Sequence, residues 1–397
     1  MIPSATALPL FALFTLTLEI PLSSKVTDVK GDMDHIRNHE TKKNTLRLVT
    51  LQVIRHGERT PVDTYPNDPY VNDNMKPYGW GQLTNEGRRN QYNQGLFLRK
   101  RYGDFLGLMY NPNIFYLQST GVDRTKMSGM VEAAALWKPS NKQLFKLDLP
   151  WQPVTLFYQE RQDDTLMLVW NTCPKYTKLR SSANDLPEIQ KVHEDNKQLF
   201  AELSNFTGMS ISTVDDVSSL YATLTAEKEM NLILPEWTKD YYPDKLLSLT
   251  LIELQLNTYN DEFRRLKGGP MLKKIINDMH AKKEGTLQPK RRKMFMYIGH
   301  DSTIVTLLDT MHIWYNQIPH YNIMTIIELH EDEDEWNVQV FLRNTTAHEP
   351  YPMVIPGCTV ICPLDKFVEI LKPMIPDNWG EECKVDNNYT TPSPPPA

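Results

Sequence analysis

Glycine is scarce in this chain, 17 residues of 397, which excludes collagen-like and glycine-rich repeat architectures. Lysine and arginine, 43 together, are outnumbered by 49 aspartates and glutamates. The net charge is −6, so the basic footprint of a nucleic-acid-binding protein is missing. Past the N-terminal segment no run reaches the ~18 to 20 apolar residues of a membrane span. The C-terminus, TTPSPPPA, holds neither a GPI signal nor a stop-transfer helix. Cysteine is limited to four residues with no C-x-x-C pair and no His-x3-His spacing accompanying them in residues 173–383, which argues against structural zinc. No internal repeat is visible. What is there is globular: 40% hydrophobic, 10% aromatic and 23% charged residues. The mass of 46.1 kDa suits one large domain with an insertion, or two domains.

Residues 5–18 are uncharged and apolar, and Ser23-Ser24 offers a small-residue cleavage site before Lys25, so residues 1–24 read as a secretory signal peptide. In a secreted chain, Cys173, Cys358, Cys362 and Cys383 form two disulfides, with three pairings open. Sequons at Asn205, Asn344 and Asn388 become glycosylation candidates in the same compartment.

Residues 46–54 read as a buried strand that runs into a loop at Gly57. A helix opens near Thr84, with Tyr92, Leu96 and Arg99 as its inner stripe and edge. A short strand at 114–117 precedes a helix whose Met127, Met130, Ala134 and Trp137 are read as core. Residues 160–267 are polar and mostly helical, with their strongest helix at 246–266, and read as a helical cap insertion. It divides an α/β domain into a first part, 25–159, and a second, 268–385, before a flexible Pro-rich tail at 386–397. Gly268-Gly269-Pro270 stops one helix and starts the next. Residues 294–298 form a second buried strand and 302–311 a helix, while 323–329 and 336–342 pair as a hairpin. The whole predicts an α/β sheet flanked by helices, with its ligand beyond the strand C-termini.

Two strand ends carry reactive residues. The first reads Arg55-His56-Gly57-Glu58-Arg59-Thr60-Pro61. Two arginines offer planar donor forks that match phosphate oxygens. A histidine between two cations is kept neutral and nucleophilic, and Gly57 lets the backbone approach a ligand. Five specified positions of R-H-G-x-R-x-P arise by chance about once in ten thousand chains of this length. The second reads Gly299-His300-Asp301-Ser302-Thr303 and opens a helix, whose N-terminus also suits an anion. Asp301 is expected to be pushed toward its protonated form there, as a general acid requires. A third helix start, Val122-Asp123-Arg124-Thr125, adds an arginine aimed at the same edge.

Taken together, R-H-G-E-R-T-P (55–61), Y-P-N-D-P-Y (65–70), G-Q-L-T-N-E-G (81–87), S-T-G-V-D-R-T-K-M-S (119–128), G-H-D-S-T (299–303) and P-G-C-T-V-I-C-P (356–363) resemble the branch-2 histidine phosphatases. The likeness is to secreted acid phosphatases of the prostatic and lysosomal type, and extends to those of insect venoms and saliva. The resemblance implies a mixed sheet flanked by helices, similar to phosphoglycerate mutase, with a helical cap. It implies His56 as a nucleophile forming phosphohistidine and Asp301 as proton donor. Arg55, Arg59, Arg124 and His300 would hold the phosphoryl oxygens of a phosphomonoester. No metal or other cofactor is implied. The implied disulfides are Cys173–Cys383 and Cys358–Cys362, and the implied assembly is a homodimer.

Three positions depart from the family pattern: Glu58 stands for the commoner aspartate, Gln118 for an arginine and Gly121 for an aspartate. They flank the reactive residues and bear on substrate preference. The expectation is a secreted acid phosphatase, with the lysosomal lumen as the alternative location. Rival readings are a phytase-like or lysophospholipid-directed phosphatase, a mutase, and an inactive secreted anion-binding glycoprotein.

Overall fold

The computed structural model describes residues 45–392 apart from 141 and 387. The predicted signal peptide and the last five residues of the tail lie outside the described residues. In chain order the first elements are β1 (Thr45–Arg55), α1 (Asn85–Leu106), β2 (Phe115–Ser119), α2 (Asp123–Leu136) and β3 (Leu156–Tyr158). Helices α3 (Pro174–Ser181), α4 (Pro187–Asp195), α5 (Lys197–Thr207), α6 (Val214–Glu229), α7 (Asp244–Leu256) and α8 (Asp261–Lys267) follow without a strand. The chain then returns through α9 (Gly269–Lys283), β4 (Met294–Gly299) and α10 (Asp301–Thr310). It continues as β5 (Met324–Asp332), β6 (Glu335–Arg343), β7 (Tyr351–Met353), β8 (Cys362–Pro363) and α11 (Leu364–Leu371).

The strands form one mixed sheet in the order β3-β2-β4-β1-β5-β6-β7, with β8 on β6. β3, β2, β4 and β1 are mutually parallel, whereas β5, β6 and β7 run antiparallel. All six residues of β4 are buried, as a central parallel strand with both faces covered must be. Ile304, Leu307, Leu308 and Met311 of the α10 segment are all essentially inaccessible, as their spacing predicts.

Two predicted stripes are corrected. In α1 the inner face is Gln91, Gln94, Gly95, Leu98 and Tyr102, while Tyr92 and Leu96 are exposed. The inner face is polar because it serves the strand ends: Gln91 Nε2 donates to the Arg55 carbonyl at 3.1 Å and Gln94 Nε2 to the Asn322 carbonyl at 2.6 Å. In α2 Met130 is 53% exposed, and Ser128, Gly129 and Ala133 face inward instead. Small residues let α2 lie close on the sheet: a Cβ on Gly129 would sit 3.1 Å from Ile298 and 3.2 Å from Leu117. The long helix expected over 246–266 is also broken, since Asn260 caps a new helix, α8, by accepting from Phe263 N.

The helices from α3 to α8 carry a hydrophobic cluster of their own, including Tyr176, Phe200, Leu203, Leu220, Leu224 and Phe263. Cys173 is bonded to Cys383, closing a 210-residue separation at one border of this cluster, and Cys358 is bonded to Cys362. Trp170 Nε1 donates to the Pro392 carbonyl at 3.2 Å, so the described part of the tail lies on the protein. Among the described residues no helix is long and apolar enough to cross a membrane.

α6 also meets the loop after β1 through an acidic pair. Burial, then the neighbouring Asp68 carboxylate, pushes Glu227 up to about 8. The folded protein therefore binds a proton that the unfolded chain releases near pH 4.5. This contribution to stability is complete below pH 4.5 and is lost as pH rises through about 8. Thermal melts between pH 5 and 9 should show Tm falling with pH, and Glu227→Gln should flatten that fall. An unchanged slope in the variant would refute the assignment.

Candidate active site

The parallel register of β1, β4 and β2 brings the three sequence motifs to one edge of the sheet. Arg55 pairs with Gly299 across β1 and β4, and Ser119 with Ile298 across β2 and β4. Beyond the strands, His56 N donates to the Gly299 carbonyl at 3.1 Å and Thr120 N to the Ile298 carbonyl at 3.1 Å. Arg55, His56, Arg59, Arg124 and His300 are all buried at this edge.

One chain of hydrogen bonds orders the two histidines. The Thr125 hydroxyl donates to the Val122 carbonyl at 2.7 Å. Its oxygen is then free to accept from Thr120 Oγ1 at 2.8 Å, which leaves Thr120 Oγ1 to accept from His300 Nε2 at 3.0 Å. His300 Nδ1 consequently carries a lone pair and accepts from Arg124 Nη2 at 3.2 Å. Arg124 Nε donates to His56 Nε2 at 2.9 Å, and His56 Nδ1 donates to the Gly57 carbonyl at 2.8 Å. A guanidinium can only donate, so His56 presents its Nε2 lone pair to Arg124.

Electrostatics agree with that tautomer. Burial first, then the charge of Arg124, holds His56 well below its ordinary value, with His300, Arg55 and Arg59 adding to the effect. The sequence reading has the right direction, but Arg124 contributes more than either flanking arginine. His300 is held low by burial and Arg124 as well. Arg124 itself is lowered to about 9 by burial and by the repulsion of Arg59.

Asp301 departs from expectation. Burial raises it, but the charge of Arg55, then His300, the Ser302 N–H and Arg59 lower it, and the balance falls below the usual carboxylate value. The reason is direct: Arg55 Nη2 lies 2.8 Å from Asp301 Oδ2. Three guanidinium groups against this one carboxylate leave the site about two positive charges in excess, which a phosphate dianion would offset. Arg55 Nε and Arg59 Nε are buried with no protein acceptor.

Gly57 serves a protein contact. A Cβ there would lie 2.6 Å from the Gly87 carbonyl oxygen, and one on Gly87 would lie 2.2 Å from that of Glu58. The two glycines let the reactive loop lie directly on the first turn of α1. Glu58 accepts from Asn90 and Asn322 at 2.9 Å each, so this departure from the family pattern ties the loop down. Gln118 accepts from the Tyr116 hydroxyl at 2.8 Å.

Sequence reasoning missed three contributors. Tyr321 packs under Arg55, whose guanidinium lies 4.1 Å from the ring centroid, and beside His56. Asn322, at φ 64°, receives Gln91 Nε2 on its side-chain oxygen at 2.7 Å. Thr120 orients His300. The left-handed Asn after His-Tyr was the one local signal for the first two, since asparagine tolerates that conformation. Among the described residues no group of three or more His, Cys, Asp or Glu side chains is arranged to hold a metal ion. Asn205 and Asn388 are exposed and Asn344 is half-buried.

This is an α/β protein with a histidine-centred cationic site at the edge of its sheet. The sequence model of the histidine phosphatase superfamily (branch 2) matches residues 46–326. Prostatic acid phosphatase of Homo sapiens is 35% identical over 350 residues, covering 87% of this chain and 89% of that protein. The venom acid phosphatase of Apis mellifera is 33% identical, covering 85% and 87%. Among solved structures, the phytase from Citrobacter braakii matches with a TM-score of 0.64, covering 86% of this chain and 100% of that one, at 15% identity. That last likeness is one of fold. The chain belongs to branch 2 of the histidine phosphatase superfamily.

Proposed function

We propose that this protein is an acid phosphatase that hydrolyses phosphate monoesters through a phosphohistidine at His56. The observation that supports it most is a neutral, buried histidine whose Nε2 lone pair faces Arg124 in a cluster of three arginines, with Asp301 across from it at Arg55. Arg55, Arg59 and Arg124 take the phosphoryl oxygens. His300, with both ring nitrogens held by protein partners, orients Arg124. His56 Nε2 forms a bond to phosphorus as the ester P–O bond breaks, and the Asp301 carboxyl gives its proton to the leaving alcohol oxygen. Water then attacks the phosphohistidine, gives a proton to the Asp301 carboxylate and releases inorganic phosphate. The arginines supply the electrostatic stabilisation that a charge-dispersed phosphoryl transfer requires. Phosphate binding also offsets the Arg55 charge that holds Asp301 ionised, so the carboxyl takes up its proton as substrate arrives.

The remaining readings fit this function. The relatives named as lysosomal and venom enzymes support secretion, with the lysosomal lumen as the alternative. Glycans at Asn205, Asn344 and Asn388 go with it. The helices from α3 to α8 form a cap domain shaping the leaving-group side. A homodimer is supported by the edge position of β3 and by Leu147 (91% exposed) and Phe145 (64% exposed) in the segment leading into it.

The test is phosphate release from p-nitrophenyl phosphate at about pH 5, with EDTA present and with tartrate as competitor. Release that survives EDTA and is inhibited by tartrate supports the proposal. No release from the folded, glycosylated protein would overturn it. Because His56 is held well below 6.5, kcat/KM should show no enzyme inflection near pH 6.5 once the ionisation of the substrate is accounted for. An inflection there would contradict a neutral His56.

A further inference from the structure

Arg55 is gripped by one short segment, residues 319–323. The Ile323 carbonyl accepts from the Arg55 backbone N–H at 3.0 Å, and the Pro319 carbonyl accepts from Nη1. The Tyr321 ring lies under the guanidinium, with its centroid 4.1 Å away. The Arg55 carbonyl accepts from Gln91 Nε2, which also donates to Asn322. This segment therefore decides where the guanidinium points. It takes Nη1 for itself, turns Nη2 to Asp301 and leaves Nε buried with no protein acceptor.

Asn322 locks the segment in place, and it is 2% exposed. Its side-chain oxygen accepts from Gln91 Nε2 at 2.7 Å and its backbone carbonyl from Gln94 Nε2 at 2.6 Å, which ties the segment to α1. Its side-chain nitrogen donates to Glu58 Oε1 at 2.9 Å, which ties it to the reactive loop. Asn90 of α1 donates to the same oxygen at 2.9 Å, so Glu58 is held from two sides. Reach matters here: the aspartate commoner at 58 is one methylene shorter, and this chain has the longer acid where Asn322 needs an acceptor. The backbone of Asn322 is left-handed, φ 64°, which asparagine tolerates better than most residues.

We propose that Asn322 is a positioning residue that presents the Arg55 guanidinium to the phosphoryl group, by tying residues 319–323 to α1 and to Glu58. This rests on the phosphatase reading above, in which Arg55 holds a phosphoryl oxygen. Asn322 acts through Arg55, since both ends of its side-chain amide are taken by protein groups. A planar guanidinium binds phosphate well only when its fork is aimed, so an untied segment costs affinity without removing any charge from the site.

The experiment is a calorimetric titration with inorganic phosphate of the parent, Asn322→Gly and Asn322→Asp proteins, each with Arg55 intact and with Arg55→Gln. Glycine keeps the left-handed backbone and removes the amide. Aspartate keeps the acceptor for Gln91 but sets a second carboxylate against Glu58. With Arg55 intact, either variant weakens phosphate binding about tenfold, the worth of one charge-assisted contact. With Arg55→Gln, the same substitutions add less than about twofold, because the group they position is gone. Adding Glu58→Gln to Asn322→Asp restores the parent affinity within about threefold, since the introduced amide donates to the introduced carboxylate. Three results overturn the proposal: unchanged affinity in the folded Asn322 variants, an equal loss with and without the Arg55 side chain, or a double variant no better than Asn322→Asp. A parent that binds phosphate yet turns over no ester sinks the phosphatase reading alone, and one that binds no phosphate overturns both.

Discussion

Replacing His56 with alanine is expected to lower phosphate release from p-nitrophenyl phosphate by about 10⁴-fold or more, while the protein still folds. The magnitude follows from the role: a nucleophile at the centre of a two-step transfer has no local substitute. The arginines at the site would still bind the phosphate but would have nothing to pass it to. Folding should survive because the side chain contributes only two hydrogen bonds, to Arg124 and to the Gly57 carbonyl. Its removal also relieves the cost of burying a titratable ring among cations. Circular dichroism and a thermal melt check the fold, and acid-quenched protein tests for covalent phosphate. Turnover within tenfold of the parent, or phosphate retained on the His56→Ala protein, would overturn the mechanism.

Asp301→Asn should separate substrates by leaving group. For an alkyl phosphate, whose alkoxide leaves poorly, the rate should fall by about 10²- to 10³-fold, the usual worth of general acid catalysis. For p-nitrophenyl phosphate, which needs little protonation, the loss should stay under about tenfold. Asparagine keeps the shape but removes the negative partner of Arg55, now 2.8 Å away. Phosphate affinity should therefore rise, so that inorganic phosphate inhibits the variant at lower concentration. Equal losses on both substrates would refute the proton-donor role. Unchanged phosphate inhibition would refute the balance drawn between Arg55 and Asp301.

Much of the candidate site was legible because its chemistry is packed into short contiguous strings. Arg55 to Pro61, Ser119 to Thr125 and Gly299 to Thr303 each follow an apolar strand, and a strand end followed by charged residues is visible without coordinates. The helix expectations failed where packing rather than polarity chose the inner face. In α1 the inward residues include Gln91 and Gln94, because the buried carbonyls of Arg55 and Asn322 require donors. In α2 the large methionine Met130 turns outward, because a helix lying close on a sheet admits only small residues between them. Neither requirement is written in the periodicity of the helix itself.

Asp301 marks the same boundary. Sequence reasoning set an acid beside an anion site and expected it to hold its proton; the structure sets Arg55 against it and lowers it instead. The sequence by itself determined the candidate reactive side chains, the α/β alternation and the helical character of residues 160–267, all of which depend on residue type and local spacing. Only the tertiary structure decided which charges meet. Residues 55, 124 and 301 are brought together by the parallel register of β1, β4 and β2, and Tyr321 and Asn322 arrive from the turn before an antiparallel strand. Electrostatic balance depends on distances across the sheet, and those distances come from strand pairing between segments far apart in the chain.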